Sequence, residues 1–552
     1  MKNVENNKIL SFLKNKWGWI LAAILIAVVA ISTFQIYEEE VLKIDPDIEY
    51  KEMKTLYFVS EPIDSLNPII SQSEDVYYIS KLIYSSLFDF DENMNVTPVL
   101  VDKYSVNTDR AYIDITLKKN VKWHNGGKLK AQDIRYTIDG IKNAGTKSPY
   151  YENCKKIISV SVMGDYDFRI YFANNYNCAL DDLTFPILPQ SQYNSGYRLS
   201  QAKDNFKPIG SGQYRYSSYD YLKYLKLKSF KNYFGVKATN RIQINIIPDG
   251  DLASSMTEIN AVTCYVDNSS KYQSIASDKN LKTYNIISNK SEFIVFNTRR
   301  NYTRQKEFRK AVCFAINSQK ILDNAYTGEG VLTDTIYYPN YLGVEDTGEA
   351  YSYNPEKTKG LLKQCGIYDR NGDGIAEDIY QKQVTVNILV NKKNPARNAA
   401  AKIIEKNLQS SGIEANIMSL SYNEYKNAIA RGDFDLLITG YSFNEQYDLR
   451  NLFNGRNEWK YNNYILNSKA REMERLYTIE DYSKKYKELK NLMLDEMPYY
   501  PLCYRYMGLV GISSFEAEKM PQFNNIYNNC NTWKWSVVDK KTETEEENSV
   551  KQ

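Results

Sequence analysis

Histidine is almost absent: His124 is the only one in 552 residues. The most common acid–base side chain and the most common metal ligand are therefore nearly missing, which argues against a histidine-based triad or a multi-histidine metal site. Cysteine is sparse and unpatterned. Cys154, Cys178, Cys264, Cys313, Cys365, Cys503 and Cys530 show no C-x-x-C spacing, so no zinc or redox motif is supported. Seven thiols cannot all pair within one chain, and settings such as AVCFAIN around Cys313 predict buried free cysteines with few disulfides or none. Net charge is lacking too. Lys plus Arg number 70 against 67 Asp plus Glu, leaving +3, so no overall field draws the chain to nucleic acid.

What is abundant is tyrosine, with 48 residues in a chain that is 13% aromatic. Tyrosine combines contact area, low rotamer entropy and a hydroxyl suited to recognition, although genome composition can produce the same excess. The length exceeds what one hydrophobic core supports and predicts two or three domains.

Trp17 to Tyr37, WGWILAAILIAVVAISTFQIY, carries no charge over 21 positions, enough at 1.5 Å per residue to cross a hydrocarbon core of about 30 Å. Lys2, Lys8, Lys14 and Lys16 precede it and Glu38, Glu39 and Glu40 follow, so the positive-inside rule puts the amino terminus in the cytoplasm and the body outside. A cleaved signal peptide is the rival, with Val28 to Ala30 as a small-residue site; the length of the apolar run favours an uncleaved anchor. No cysteine follows the run closely, so lipid attachment at a processed terminus is not expected.

Within the body, Asp433 to Phe453 reads DFDLLITGYSFNEQYDLRNLF. Phe434, Leu436, Leu437 and Ile438 suggest a short buried strand ended by Gly440. Tyr441, Asn444, Glu445, Tyr447 and Asp448 then place flat apolar faces beside hydrogen-bonding groups, the usual mixture of a small-ligand cleft. Near the start, Thr55 to Ser60 reads as a first strand, and EPIDSLNP after it is a proline-enforced loop that makes Glu61 a candidate ligand contact.

Further along, Ile113, Ile115 and Leu117 alternate as a strand, a turn follows at Asn125-Gly126-Gly127, and Ala131, Ile134, Ile138 and Ile141 share one helix face. With no second histidine and no paired cysteine nearby, His124 in that turn is read as structural. Asp369, Asn371, Asp373 and Gly374 match the opening of an EF-hand loop, but its twelfth position is Tyr380 instead of a bidentate Glu, so a plain turn is expected over calcium. Val384 to Val390, a helix face at Ala400, Ile403, Ile404 and Leu408, and Ile413 to Met418 alternate strand, helix, strand, which predicts a parallel-sheet lobe. Tyr482, Tyr486, Leu489 and Met493 line a last long helix.

The run from Val121 to Tyr136 resembles the signature of the extracellular solute-binding proteins of family 5, the oligopeptide-, dipeptide- and nickel-binding components of ABC importers. It keeps Val121, Lys122, Trp123, His124, Gly126, Leu129, Ala131, Asp133 and Tyr136, and departs at Asn125, where that pattern usually has Asp. The resemblance continues in order through PIGSGQY at Pro208–Tyr214, the F-N-T segment and helix of Phe296–Lys320, NPEKTKGLLKQCGI at Asn354–Ile367 and PYYPLCY at Pro498–Tyr504.

That resemblance implies an α/β, two-lobed periplasmic-binding-protein-like fold with an extra subdomain in lobe I, preceded by one transmembrane helix. The expected divisions are a cytoplasmic basic terminus (1–16), the anchor or signal segment (17–37), a spacer (38–52), lobe I (53–280), lobe II (281–490), a return to lobe I (491–537) and a charged, disordered tail (538–552). It implies a monomeric solute receptor at the cell membrane that closes over a peptide or related solute and serves a permease and an ATPase. A sensory surface protein of the same fold and a nickel-chelate binder are the alternatives. No enzyme activity, cofactor, metal or nucleic-acid partner is expected. Peptide-binding members place an Asp against the ligand's α-ammonium in a G-W-x-x-D pattern. Aligned on Gly440, this chain has Asn444 there, and Glu445 or Asp448 could supply the missing charge. The expected ligand contacts are thus Tyr441, Asn444, Glu445, Asp448 and Glu61.

Overall fold

The computed structural model describes residues 53–107, 111–173, 180–192, 206–443, 449–473 and 479–536. The apolar run at 17–37, the spacer and the charged tail lie outside the described residues. Among the described residues no helix is long and apolar enough to cross a membrane.

The first lobe is built on a four-stranded sheet in the order β1 (Thr55–Ser60), β10 (Arg241–Ile246), β9 (Tyr224–Ser229), β8 (Tyr214–Asp220), with β1 and β10 parallel and the rest antiparallel. An inserted subdomain carries the hairpin β2 (Phe88–Phe90) and β3 (Val96–Pro98) and an antiparallel sheet ordered β4 (Val101–Asn107), β5 (Tyr112–Leu117), β7 (Asp167–Phe172), β6 (Ile157–Val162). Its sequence pattern explains it. Ile113, Ile115 and Leu117 alternate inward on β5, and the face Ala131, Ile134, Ile138 and Ile141 of the helix Ala131–Ala144 is fully buried, as period-two and period-3.6 patterns require.

A seven-stranded sheet makes the rest, ordered β11 (Cys264–Asp267), β17 (Tyr499–Gly511), β12 (Lys282–Phe296), β16 (Leu436–Ser442), β14 (Thr385–Asn391), β15 (Glu414–Leu420), with β13 (Gly330–Val331) beside β17. The two long strands run from one lobe into the other. Residues 282–287 of β12 pair with 506–511 of β17, the register breaks between Ile287 and Ser291, and pairing resumes against 499–504. The second lobe is mixed rather than purely parallel. β14 is parallel to β15 and β16, but β16 is antiparallel to β12. Its core joins Phe296, Phe308, Val312, Ile388, Ile404 and Leu436, and the helix Pro355–Gln364 starts as its sequence dictates, with Asn354 accepting from Lys357 N and Pro355 in the first turn.

One boundary differs from the sequence reading. Gly440 does not end its strand: β16 runs through to Ser442, because β12 continues to offer paired backbone as far as Lys290. The described cysteines are all free, and all but Cys365 are buried.

Candidate functional site

In the first lobe the carboxyl ends of β1, β10 and β11 open onto one cavity of about 980 Å³. In open α/β sheets that edge is where ligands bind, since the loops leaving the strands are fixed at their roots and free at their tips. Glu61, exposed immediately after β1, lies on its wall with Asp75, Asp267, Asn268 and Lys271.

The loop carrying Glu61 is held by carboxylates. Asp75 Oδ2 accepts from Ser60 Oγ at 3.1 Å and from Glu61 N at 2.8 Å. Asp64 accepts from Ser65 N, Ser71 Oγ and Gln72 N, which shapes the two-proline loop. Burial raises the Asp75 carboxyl above its ordinary pKa, against the lowering effect of those donors. Ser73 caps the helix Glu74–Ile83, whose amino end closes this side of the cavity.

The second lobe reaches the same place through β12 and β16. Lys290 pairs with Ser442, and its ammonium donates to the Asn268 carbonyl at 3.3 Å on the cavity wall. Asn289 fixes the end of β16: its carbonyl accepts from Phe443 N at 3.0 Å and its Nδ2 donates to Phe443 O at 2.6 Å. Tyr441 is 46% exposed on that strand, its ring 4.8 Å from that of the buried Phe443. Tyr441 therefore sits on a paired strand and not in the loop expected from sequence. Asn444, Glu445 and Asp448 lie outside the described residues. Lys290, Asn268 and Asp75 were missed in the sequence. Asp75 reads there as an ordinary first-turn carboxylate, and nothing in SNKSEF announces a strand that crosses between lobes.

The signature motifs turn out to be joined structurally. His124 Nδ1 accepts from Gly210 N at 3.2 Å and Nε2 lies 3.0 Å from Gly212 O. The first contact needs a lone pair and the second a proton, which fixes the neutral Nε2–H tautomer. Burial accordingly lowers the His124 pKa to about 4, and the ring packs edge-on against Phe230 at 4.8 Å. Gly212 N in turn donates to Ile83 O at 2.8 Å, and a β-carbon at Gly210 or Gly212 would collide with the Ile83 backbone. The one histidine is consumed by main-chain bonds and leaves no ring nitrogen to coordinate a metal.

The Asp369 loop forms the expected turn. Asp369 accepts from Gly372 N and Gly374 N at 2.7 and 2.9 Å, and Asp373 accepts from Ile375 N at 2.8 Å. Carboxylate oxygens of Asp369, Asp373 and the buried Glu377 converge to within 4.8 Å of one another. Glu377, at the ninth position, is the carboxylate that a search at the twelfth position overlooks.

Comparison with known proteins matches residues 95–460 to the model of the bacterial extracellular solute-binding proteins, family 5. The oligopeptide-binding protein AppA of Bacillus subtilis is 25% identical over 489 residues, 85% of this chain and 89% of that protein. The dipeptide-binding protein of Escherichia coli is 24% identical over 417 residues, 70% of this chain and 76% of that protein. Among solved structures, an ABC transporter substrate-binding protein from Sinorhizobium meliloti shares the fold with a TM-score of 0.72 at 17% identity, covering 88% of this chain and 99% of that one.

Proposed function

Because the chain belongs to family 5 of the bacterial extracellular solute-binding proteins, we propose that it is the binding component of an ABC importer, held outside the cell membrane by its amino-terminal apolar segment. It takes a peptide or a related small solute between its lobes and delivers it to a permease with its ATPase. The observation that carries this reading is the cavity of about 980 Å³ at the carboxyl ends of the first-lobe strands, with the second-lobe Lys290 bonded to its wall. The lining itself is first-lobe, and Lys290 marks where the second lobe meets it, so a solute seated there would gain its second-lobe contacts as the lobes close.

Closure follows from that placement. A ligand that contacts both lobes stabilises the closed form by the difference between its affinities for the two forms, and closure is what a transporter reads. The hinge belongs at the register break between Ile287 and Ser291, where the ladder is already interrupted and a change of backbone angle loses little pairing. In this reading Glu61 and Tyr441 contact the solute from opposite lobes, with Asn444, Glu445 and Asp448 completing the second-lobe side. Lobe I is assigned to 53–280 with a return at 491–537, and lobe II to 281–490. An uncleaved anchor keeps the loaded receptor near its permease at high effective concentration.

The test is mass spectrometry of small molecules released when the purified protein is denatured. Recovery of peptides is the expected result and shows whether their amino ends are free or blocked. An empty cleft, with no thermal shift on adding peptide pools, would count against a peptide receptor.

A further inference from the structure

A second cavity, of about 390 Å³, lies in the first lobe. It is walled by the helix Glu74–Ile83, by residues 184–186 and the Gly212–Gln213 turn, and by the returning segment 519–532, and it shares only Tyr527 with the cavity described above. We infer that it is a separate binding site for an uncharged saccharide of one or two rings.

Three observations point there. First, polar groups at this place are buried without a bond inside the protein. Tyr84 lines the cavity at 4% exposure, and its hydroxyl has no hydrogen-bond partner. The same holds for Oδ1 of Asn525, another lining residue. Buried polar atoms are nearly always satisfied, so two orphans lining one cavity call for a ligand or water.

Second, the lining has the chemistry of sugar recognition. Asn528 and Asn531 supply amides that both donate and accept as a ring hydroxyl does, while Thr532, whose hydroxyl donates to Asn529 O at 2.8 Å, can still accept. Tyr77, Tyr150 and Tyr233 add aromatic surface on which the C–H face of a pyranose packs. Of the charged lining residues, Lys81 pairs with Asp89 at 3.4 Å and lies over the Tyr77 ring, and Lys519 is exposed. A ligand charge facing Lys81 or Asp89 would have to break that pair.

Third, the cap over the cavity is rigid. Asn240 Nδ2 donates to Cys530 O at 2.9 Å, Trp533 Nε1 to Lys519 O at 3.0 Å and Asn529 Nδ2 to Met520 O at 3.1 Å. The site is preformed, which lowers the ordering cost of binding.

Saturation-transfer NMR on the purified protein with D-glucose, N-acetyl-D-glucosamine, cellobiose and chitobiose tests this. Transfer to the ring protons of at least one is expected. Asn525→Leu removes an orphaned amide and Asn531→Trp fills the cavity; each should weaken the titrated affinity by roughly tenfold or more, the worth of about one hydrogen bond, while keeping the wild-type unfolding midpoint without sugar. Glu61→Ala, in the other cavity, should leave sugar binding unchanged. No transfer from any of the four sugars overturns the inference. So does equal binding by both cavity variants, or loss of binding in Glu61→Ala, which would place the sugar in the inter-lobe cleft.

Discussion

Arg397 grips Glu292 through two parallel hydrogen bonds, Nε to Oε2 at 2.7 Å and Nη2 to Oε1 at 3.0 Å, and the pair lies against the backbone of Gly440. A β-carbon on Gly440 would collide with Arg397 Nη2 and come within 2.7 Å of Glu292 Oε1. The glycine therefore lets an ion pair pass over the strand that leads to Tyr441. Gly440→Ala should push the pair out of its bidentate geometry and cost about 1–3 kcal/mol, the usual range for overpacking. Glu292→Ala strands a largely buried guanidinium and should cost about 3–5 kcal/mol. Urea denaturation followed by circular dichroism reads both, and an unshifted midpoint in Gly440→Ala would show that the ion pair does not occupy this place.

His124 makes a prediction with a definite sign. Its pKa is lowered by burial from 6.5 to about 4, so the unfolded chain takes up the proton first as pH falls. The stability contributed by the neutral ring is fully present above 6.5, declines between 6.5 and about 4, and is lost below that. The gap corresponds to ~3 kcal/mol at most. Other groups titrate in the same window, so the measured quantity is the difference between wild type and His124→Gln. Wild type should lose more stability than the variant between pH 7 and pH 5, and parallel pH profiles would refute the clamp on Gly210 and Gly212.

These two residues also mark how far the sequence could be read. His124 was legible as structural because a lone histidine in a turn has no chemical partners, and the turn that it holds could be recognised at PIGSGQY. The strands Thr55–Ser60 and Tyr112–Leu117 and the helix Ala131–Ala144 were visible for the same kind of reason, since side-chain period acts locally, whereas the helix Pro355–Gln364 was visible only through the family resemblance. Gly440 was misread as a strand end because its reason is distant, an arginine 43 positions earlier in the chain and a glutamate on the neighbouring strand. Lys290 and Asn268 were invisible on the same ground. They matter only once β12 crosses from one lobe to the other, and no local pattern encodes that crossing.

Lys490 and Asp334 form a second buried pair, at 2.9 Å with both side chains under a tenth exposed. Lys490 also donates to Glu345 O at 2.5 Å, so one ammonium ties the loop around 333–346 to the helix Ile479–Glu496. That loop touches the other lobe, where Leu342 N donates to Asn93 O at 2.8 Å. Lys490→Met should cost about 3–5 kcal/mol by leaving Asp334 buried and unpaired. Hydrogen exchange should locate the loss, with 333–346 deprotected before the core strand Thr385–Asn391. Uniform deprotection of both regions would mean that Lys490 supports the whole lobe and not this loop.

Asn444 carries the most consequential prediction for ligand choice. Under the function proposed above, and aligned on Gly440, it stands where peptide-binding members of the family set an Asp against the ligand's ammonium; the strand before it is fixed by Asn289 at Phe443. A charge-assisted hydrogen bond contributes about 1.5–3 kcal/mol, which is roughly ten- to a hundredfold in affinity. Asn444→Asp should therefore strengthen binding of peptides with a free amino end by that factor and leave their N-acetylated forms unchanged, as read by calorimetry on matched pairs. If both forms gain equally, the new charge acts at long range and the ammonium is not seated at this position. If neither gains, Glu445 or Asp448 already holds the ammonium, and the same titrations repeated on Glu445→Gln and Asp448→Asn identify which of the two does.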